Sequence, residues 1–503
     1  MNSYISIILP IVVPCIVAIL SIFFWWKQKI QLWLNIFGAL IFLGTTVNLF
    51  LQVNHFDIIT FQSGNWPAPF GITLVADLYS AIMILVTGIL GSGGAIYSMV
   101  SMDKQRIKYG FFPLFYFLMM GISGAFLAGD LFNLYVWFEL ILITSFVLIA
   151  LGSEKAQLEG AIKYVTLNLF ASIMLLTAVG MIYGITGALN MADIAVKVAA
   201  FEDKGIINIA AVLFIIAFGI KAAVFPLFYW LPASYHTPPI AVSAIFAGLL
   251  TKVGTYALIR IFTLIFIHDI DFTHFILLVI AGFTMVTGVL GAVAQSEIRR
   301  LLSFHIISQI GYMIMGLAIF TPLALAGAIY FMFHNIIVKN ALFLVSGIIY
   351  KIKGHYQLYY LGGLYQAFPF LSILFLIPAL SLAGVPPLSG FWGKFILMKA
   401  AIETEQYAIL AISLIVSVLT LFSMIKIWTQ AFWKTTPKES LNTIGNYQQF
   451  NFMKKAMIFG PIIWLCILIG LISFGAETAI SIAQRAAEQL MDPQIYINEV
   501  LGK

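Results

Sequence analysis

Long apolar runs alternate with short polar loops along the whole chain. A helix needs about 20 residues to cross a hydrocarbon core about 30 Å thick. About fourteen runs reach that length: 4–25, 30–52, 72–100, 110–129, 131–152, 161–184, 207–231, 239–264, 273–294, 300–320, 323–349, 369–398, 406–432 and 456–482. The first is followed by WKQK and reads as a transmembrane helix, not a cleaved signal. Two stretches, 219–262 and 369–398, are interrupted by proline: Pro226, Pro232, Pro238 and Pro239 in one, Pro386 and Pro387 in the other. Proline removes a backbone donor and breaks the helical ladder. At membrane depth, freed backbone groups are tolerated only when buried in protein or lining a water-filled cavity. The breaks therefore mark places where a pathway crosses the bilayer.

The polar loops set the orientation. Lys27 and Lys29 follow the first span, Lys104, Arg106 and Lys108 the third, and Lys155 the fifth. Arg299 and Arg300 follow the ninth, Lys351 and Lys353 the eleventh, and Lys434, Lys438, Lys454 and Lys455 the thirteenth. Loops after even-numbered spans are poor in basic residues or acidic. The positive-inside bias puts the basic loops in the cytoplasm and both termini outside. A repeat is also visible. GAIKYVTLNLFASIMLLTAVGMIY at 160–183 matches GAIYFMFHNIIVKNALFLVSGIIY at 327–350, with Asn168 on Asn335 and Gly180 on Gly347. A V-x-P-L recurs in both interrupted spans, at 224–227 and 385–388. The units start five spans apart, and an odd number inverts the second relative to the first, the build of many secondary transporters.

Composition agrees with a polytopic membrane protein: 503 residues, 62% hydrophobic and 9% charged. The net charge of +6 sits in short loops and does not point to nucleic acid. Cys15 and Cys466 lie in apolar runs without metal-ligand spacing, so no metal or cofactor is expected.

What changes the picture is the short set of ionisable residues within spans, which are functional candidates by default. They are Asp77, Glu139, Lys163, Lys221, Lys252, His305, His334, Lys339, Lys394 and Lys426. Glu139 is mid-span. Burial alone favours its neutral acid, and a nearby ammonium favours the carboxylate. Lys221, mid-span in the same repeat unit, is the candidate partner; a neutral acid bonded to a carbonyl is the alternative. Lys394 follows the Pro386–Pro387 break as Lys221 precedes the Pro226 break. Lys426 reads as a lysine reaching for the interface, and Lys163 either so or as a relay member. His305 and His334 carry protons or bond a neighbour, and Asp77 pairs structurally or carries an ion. Ammonium groups cannot coordinate a cation, whereas hard cations want oxygen ligands. A row of buried lysines therefore suits protons passed along water, gated by the Glu139–Lys221 pair.

The same residues carry a family pattern. FEL at 138–140, IKAAVFPLFYWLP at 220–232, TKVGTYALIR at 251–260, RRLLSFHIISQIGY at 299–312 and GVPPLSGFWGK at 384–394 resemble the antiporter-like membrane subunits shared by Mrp-type cation/proton antiporters and respiratory complex I. ELILITSFVLIALG at 139–152 and SYHTPP at 234–239 are similar to the D-type Mrp branch more than to the quinone-linked one. The resemblance implies an all-α fold of about fourteen transmembrane helices. It implies two inverted five-helix repeats, spans 4–8 and 9–13, with helices 7 and 12 broken. On chain limits this gives 1–108 for helices 1–3, 109–264 and 265–433 for the repeats, and 434–503 for helix 14 and the tail. It implies Glu139, Lys221, Lys252 and Lys394 as the proton relay, with Lys339 at a family position; His305, His334 and Lys163 are further candidates from their place in the spans alone. Many members have His where Asn335 stands, and often Ser at the place of His305.

Two functions are expected from this. One is a proton-translocating subunit of a multi-subunit sodium/proton antiporter in the bacterial plasma membrane, with Mrp subunits A, B, C, E, F and G as partners. The alternative is a proton-pumping membrane subunit of an NADH:quinone oxidoreductase or related complex. The chain has no nucleotide, flavin or iron–sulfur motif, so it is not expected to be an enzyme. A pure scaffold gains nothing from intramembrane charge.

Overall fold

The computed structural model describes residues 3–437, 447 and 450–502. Lys438, one of the basic loop residues above, lies outside the described residues. Among the described residues, twelve helices are long and apolar enough to cross a membrane, and two shorter apolar ones, Phe111–Leu127 and Pro369–Ala383, complete the fourteen expected spans. The first three are Ser3–Phe23, Gln28–Phe56 and Leu78–Ser101. Spans 4–8 start with Phe111–Leu127, Leu131–Ala150 and Lys155–Thr186, then Lys204–Ala222 and Ile240–Leu264. Spans 9–13 are Ile270–Ala294, Ile298–Ile319, Pro322–Lys353, Pro369–Ala383 continued by Ser389–Glu403, and Tyr407–Trp433. Phe452–Phe474 is span 14.

The two five-span units match in detail. The third helix of each is 32 residues long, the fourth is broken, and the fifth carries a π-helical turn, at Phe246–Leu250 and at Trp428–Trp433. Both long helices exceed the apolar runs that predicted them, because polar turns such as KAQLEG at 155–160 continue the helix into the loop face.

Each break is satisfied internally. Span 7 stops at Ala222, short of the predicted 231, because Ala223 adopts a left-handed φ of 60° and Pro226 follows. Trp230, opening the short helix Trp230–Ser234, donates its indole N–H to Ile220 O (3.0 Å), and Phe225 N donates to Thr284 Oγ1 (3.0 Å). Span 12 stops at Ala383, where Gly384 takes a φ of 87° that disfavours any side chain. The helix resumes at Ser389.

Several elements among the described residues were not predicted. An antiparallel hairpin pairs Ile59–Gln62 with Thr73–Ala76, Ile59 opposite Ala76. Met191–Ala200 is a short helix between spans 6 and 7, capped by Asn190. Beyond span 14 the chain turns at Phe474 into two helices, Ala476–Met491 and Pro493–Leu501. The run 456–482 therefore joins the end of a span to the start of a separate amphipathic helix. Basic loops after odd spans share one face. Arg106, Arg299, Arg300 and Lys351 line one cleft of about 660 Å3, together with His236 from the loop between spans 7 and 8.

Candidate functional site

Four of the predicted lysines are buried in the helical core: Lys221 is 5% exposed, Lys252 0%, Lys339 0% and Lys394 3%. No described carboxylate forms an ion pair with any of them. Each is held instead by a carbonyl or a hydroxyl. Lys221 Nζ donates to Ser172 Oγ (3.1 Å) and lies 4.8 Å from the Phe138 ring centre. Lys252 Nζ donates to Ala247 O (2.8 Å), inside the π turn of span 8. The wider turn presents that carbonyl to the ammonium. Lys339 Nζ donates to Leu302 O (3.3 Å). Lys394 Nζ donates to Ala383 O (3.0 Å) and Ser417 Oγ (3.1 Å), and faces the Tyr312 ring at 5.1 Å. Ala383 is the last residue before the span 12 break, so the interruption itself supplies the lysine's acceptor.

Electrostatic reach joins three of the four lysines, through Lys339. Lys339 senses both Lys252 and Lys394, and Lys221 senses Glu139. Spans 7 and 8 meet at Gly254, where a Cβ would come within 2.7 Å of Ala222 N and 2.9 Å of Lys221 C. The glycine permits the backbone approach that brings the Lys221 and Lys252 helices together.

The two histidines sit in the same core. His305 Nε2 bonds Ser423 Oγ and the residue is 0% exposed. His334 Nδ1 bonds Ser389 Oγ (2.8 Å), and Ser389 Oγ bonds Ser381 Oγ (3.0 Å), so His334 connects to both halves of span 12. Several buried polar atoms have no partner among the described residues: Glu139 Oε1, Tyr235 OH, His305 Nδ1, Gln309 Oε1, His334 Nε2 and both amide atoms of Asn335. Buried polar groups at this density call for hydration, because an unsatisfied one costs about 1–3 kcal/mol. Lys221 borders a small cavity of about 20 Å3 with Tyr164, Asn168, Trp230 and Tyr235. That is room for about one water.

The family described as NADH:quinone oxidoreductase/Mrp antiporter, TM, matches residues 128–420, which contain Glu139, the four buried lysines and both histidines. The chain belongs to this family. It is 48% identical to the D-type subunit of the Na(+)/H(+) antiporter of Alkalihalophilus pseudofirmus, over 98% of this chain and 99% of that protein. It is 39% identical to the D-type subunit of the Na(+)/H(+) antiporter of Bacillus subtilis, over 100% of both. Its fold matches a chain of the Mrp complex from Dietzia sp. DQ12-45-1b with a TM-score of 0.91, at 31% identity and with 100% of both chains covered. The resemblance read from the motifs thus reaches the D-type branch of the antiporter family.

Three further in-span residues stand apart from the lysine row. Lys163 is a correction. It points to the outer surface of span 6, where it pairs with Glu159 (2.5 Å), one helical turn away, and does not join the buried lysines. Lys426 donates to Val293 O (2.9 Å) and Gln295 O (2.8 Å), closing the carbonyl end of span 9. Asp77 forms a buried two-point ion pair with Arg260, 2.6 Å and 2.8 Å, and caps span 3 at Ser80 N. The Glu139–Lys221 pair is not a contact. Glu139 is only partly buried, and its field, not a hydrogen bond, reaches the ammonium.

Sequence reasoning missed Ser172, Ser417 and the Ser381–Ser389 couple. Ser172 had a signal. In the repeat that sets Asn168 on Asn335, it falls on Lys339, so a polar group stands at the same inward position of both long helices.

Proposed function

We propose that this chain is the proton-translocating subunit of a multi-subunit sodium/proton antiporter in the bacterial plasma membrane, working beside the other Mrp subunits A, B, C, E, F and G. It is a transporter component and not an enzyme. Both termini face outward, and the cleft lined by Arg106, Arg299, Arg300 and Lys351 opens to the cytoplasm. Residues 109–264 and 265–433 act as two half-units, flanked by 1–108 and 434–503.

The observation that carries this reading is the row of four buried lysines held only by carbonyls and hydroxyls, with Lys339 in electrostatic reach of Lys252 and Lys394, and Lys221 in reach of Glu139. Without a carboxylate to fix each charge, a proton arriving at one site raises the energy of a proton at the next. Lysine can release a proton when buried and crowded, whereas arginine cannot. Protons move from Lys221 through Lys252 and Lys339 to Lys394, with hydrated polar atoms of His334, Asn335 and Gln309 between. Glu139 sets the charge state at the Lys221 end through space.

The test is sodium-driven proton movement in vesicles holding the assembled complex. Lys221→Ala or Lys394→Ala removes exchange while the complex still purifies intact. Near-normal exchange in either variant would sink the relay.

A further inference from the structure

We infer that Ser381 and Ser389 are positioning residues: with His334 they form a hydroxyl bracket across the break of span 12, and the bracket holds Ala383 O in place as acceptor of the Lys394 ammonium. Their part in transport rests on the proton role proposed for Lys394; the bracket itself does not.

The break leaves the second half of span 12 without a start of its own. Pro386 and Pro387 bring no N–H into the gap. The helix that resumes at Ser389 is preceded by Leu388, which gives no side-chain cap. The first amides of a helix have no partner within it and need acceptors from elsewhere. Gly390 N–H finds one across the gap, on Ser381 Oγ (3.4 Å). Ser381 Oγ lies 3.0 Å from Ser389 Oγ, and Ser389 Oγ lies 2.8 Å from His334 Nδ1. With His334 neutral and its proton on Nε2, every donor in this chain has an acceptor. Gly390 N–H donates to Ser381, Ser381 to Ser389, and Ser389 to His334 Nδ1. His334 stands on the unbroken helix Pro322–Lys353, so the chain ties both halves of span 12 to one rigid strut. Ser381 and Ser389 are fully buried and His334 is 1% exposed, so bulk water does not compete for these bonds.

The halves touch where the bracket sits. A Cβ on Gly390 would lie 1.8 Å from Ser381 O and 2.9 Å from His334 Nε2, so only glycine fits there. The ammonium tie crosses the same gap close by. Ser381 is two residues before Ala383, and Gly390 is about one helical turn before Lys394. Lys394 Nζ donates to Ala383 O (3.0 Å) and to Ser417 Oγ (3.1 Å), and Ser417 Oγ donates to the same Ala383 O (3.1 Å). Between the two ties the backbone passes through Gly384, whose left-handed φ of 87° stiffens nothing. Ala383 O therefore keeps its place opposite Lys394 only while the two halves stay in register, and the neutral bracket keeps that register whether or not Lys394 holds its proton.

Alanine and threonine at 389 separate a bracket from small residues filling a junction. Ser389→Ala deletes the hydroxyl and leaves the space nearly unchanged. Ser389→Thr keeps the hydroxyl and adds a methyl group. Amide hydrogen exchange of the assembled complex, read on a peptide spanning 384–391, should be about 10-fold faster in Ser389→Ala, the effect of losing one buried hydrogen bond. Ser389→Thr should stay near the wild-type value. In vesicles, sodium-driven proton movement should slow about 10-fold in Ser389→Ala at unchanged sodium KM, and Ser389→Thr should retain most of the rate. The double variant Ser381→Ala/Ser389→Ala should be no slower than the single one, because the two hydroxyls act as one chain. Should Ser389→Ala not assemble, Ser381→Ala is expected to give the same two changes. Wild-type amide exchange in the assembled alanine variant overturns the bracket, as does a tolerated alanine beside an impaired threonine. Faster amide exchange with a wild-type transport rate overturns the positioning role. If Lys394→Ala is itself silent in vesicles, the proposed function falls, and the amide exchange still decides the bracket.

Discussion

Asp77 and Arg260 separate a structural carboxylate from an ion-carrying one. The pair is bidentate, and the side chains are 3% and 6% exposed. Tyr79, Tyr256 and Tyr496 surround the guanidinium at 5.4–5.7 Å from their ring centres, so the last helix of the chain closes over it. Asp77→Asn keeps the helix cap on Ser80, since asparagine caps as well as aspartate. What it loses is the charge facing a buried arginine. Stranding one partner of such a pair costs about 3–5 kcal/mol. An asparagine oxygen still accepts one guanidinium bond, which places the expected loss near the lower end, about 3 kcal/mol. That is roughly a 100-fold change in the folded-to-unfolded ratio. The double variant Asp77→Asn/Arg260→Met removes the stranded charge and is expected to recover at least half of the loss. The assay is the temperature at which the purified complex loses its assembled peak on size exclusion, followed by exchange measured well below that temperature. Asp77→Asn should melt early yet exchange sodium for protons at a near-normal rate. An unchanged melting temperature with exchange abolished would refute the structural assignment and make Asp77 an ion carrier.

Other outcomes follow from the same geometry. Lys221→Arg retains charge but cannot release a proton, so exchange should fail nearly as fully as in Lys221→Ala; full exchange in vesicles would make Lys221 a fixed charge. Gly254→Ala forces a Cβ against the Lys221–Ala222 backbone; overpacking of this kind costs about 1–3 kcal/mol, and both melting temperature and exchange should drop. Lys163→Ala removes only an exposed pair with Glu159, and neither thermal assembly nor exchange should change measurably. His236, in the loop between spans 7 and 8, donates Nδ1–H to Pro232 O (2.7 Å), and burial holds its basicity below the usual imidazole range. The unfolded chain then binds the extra proton more readily, so stability contributed by neutral His236 is present above about pH 6.5 and is lost as pH falls. His236→Gln should therefore lose less melting temperature than the parent complex between pH 7.5 and 5.5.

The spans, the two breaks and the repeat were legible because hydrophobic length and proline placement are local signals. The same signals placed Lys221 and Lys394 beside the breaks, where the structure has them. The hairpin at 59–76 and the helix Met191–Ala200 were hidden, since four-residue strands and a ten-residue amphipathic helix leave little periodic trace. The run 456–482 hid a boundary because Gly475 and Glu477 are its only local marks, a weak break in an otherwise apolar stretch. The Glu139–Lys221 distance depends on how spans 5 and 7 are rotated about their axes, which sequence spacing within one helix does not fix. Asp77 and Arg260 are far apart in sequence and pair only because span 8 returns to the face where span 3 begins. Lys163 was ambiguous because its partner Glu159 lies one turn away on the exposed side, and only the helix's rotation decides which side that is.

Lys339 stands in the middle of the row, fully buried and sensing a lysine on either side. Lys339→Met has similar length, leaves no stranded charge and removes the proton-carrying group, so the complex should assemble. Proton movement driven by a sodium gradient, followed with a pH-sensitive dye in vesicles of the assembled variant, tests the relay most directly. A relay predicts that exchange falls to the background of empty vesicles while complex recovery is unchanged. Exchange at the wild-type rate would show that protons do not pass along the lysine row.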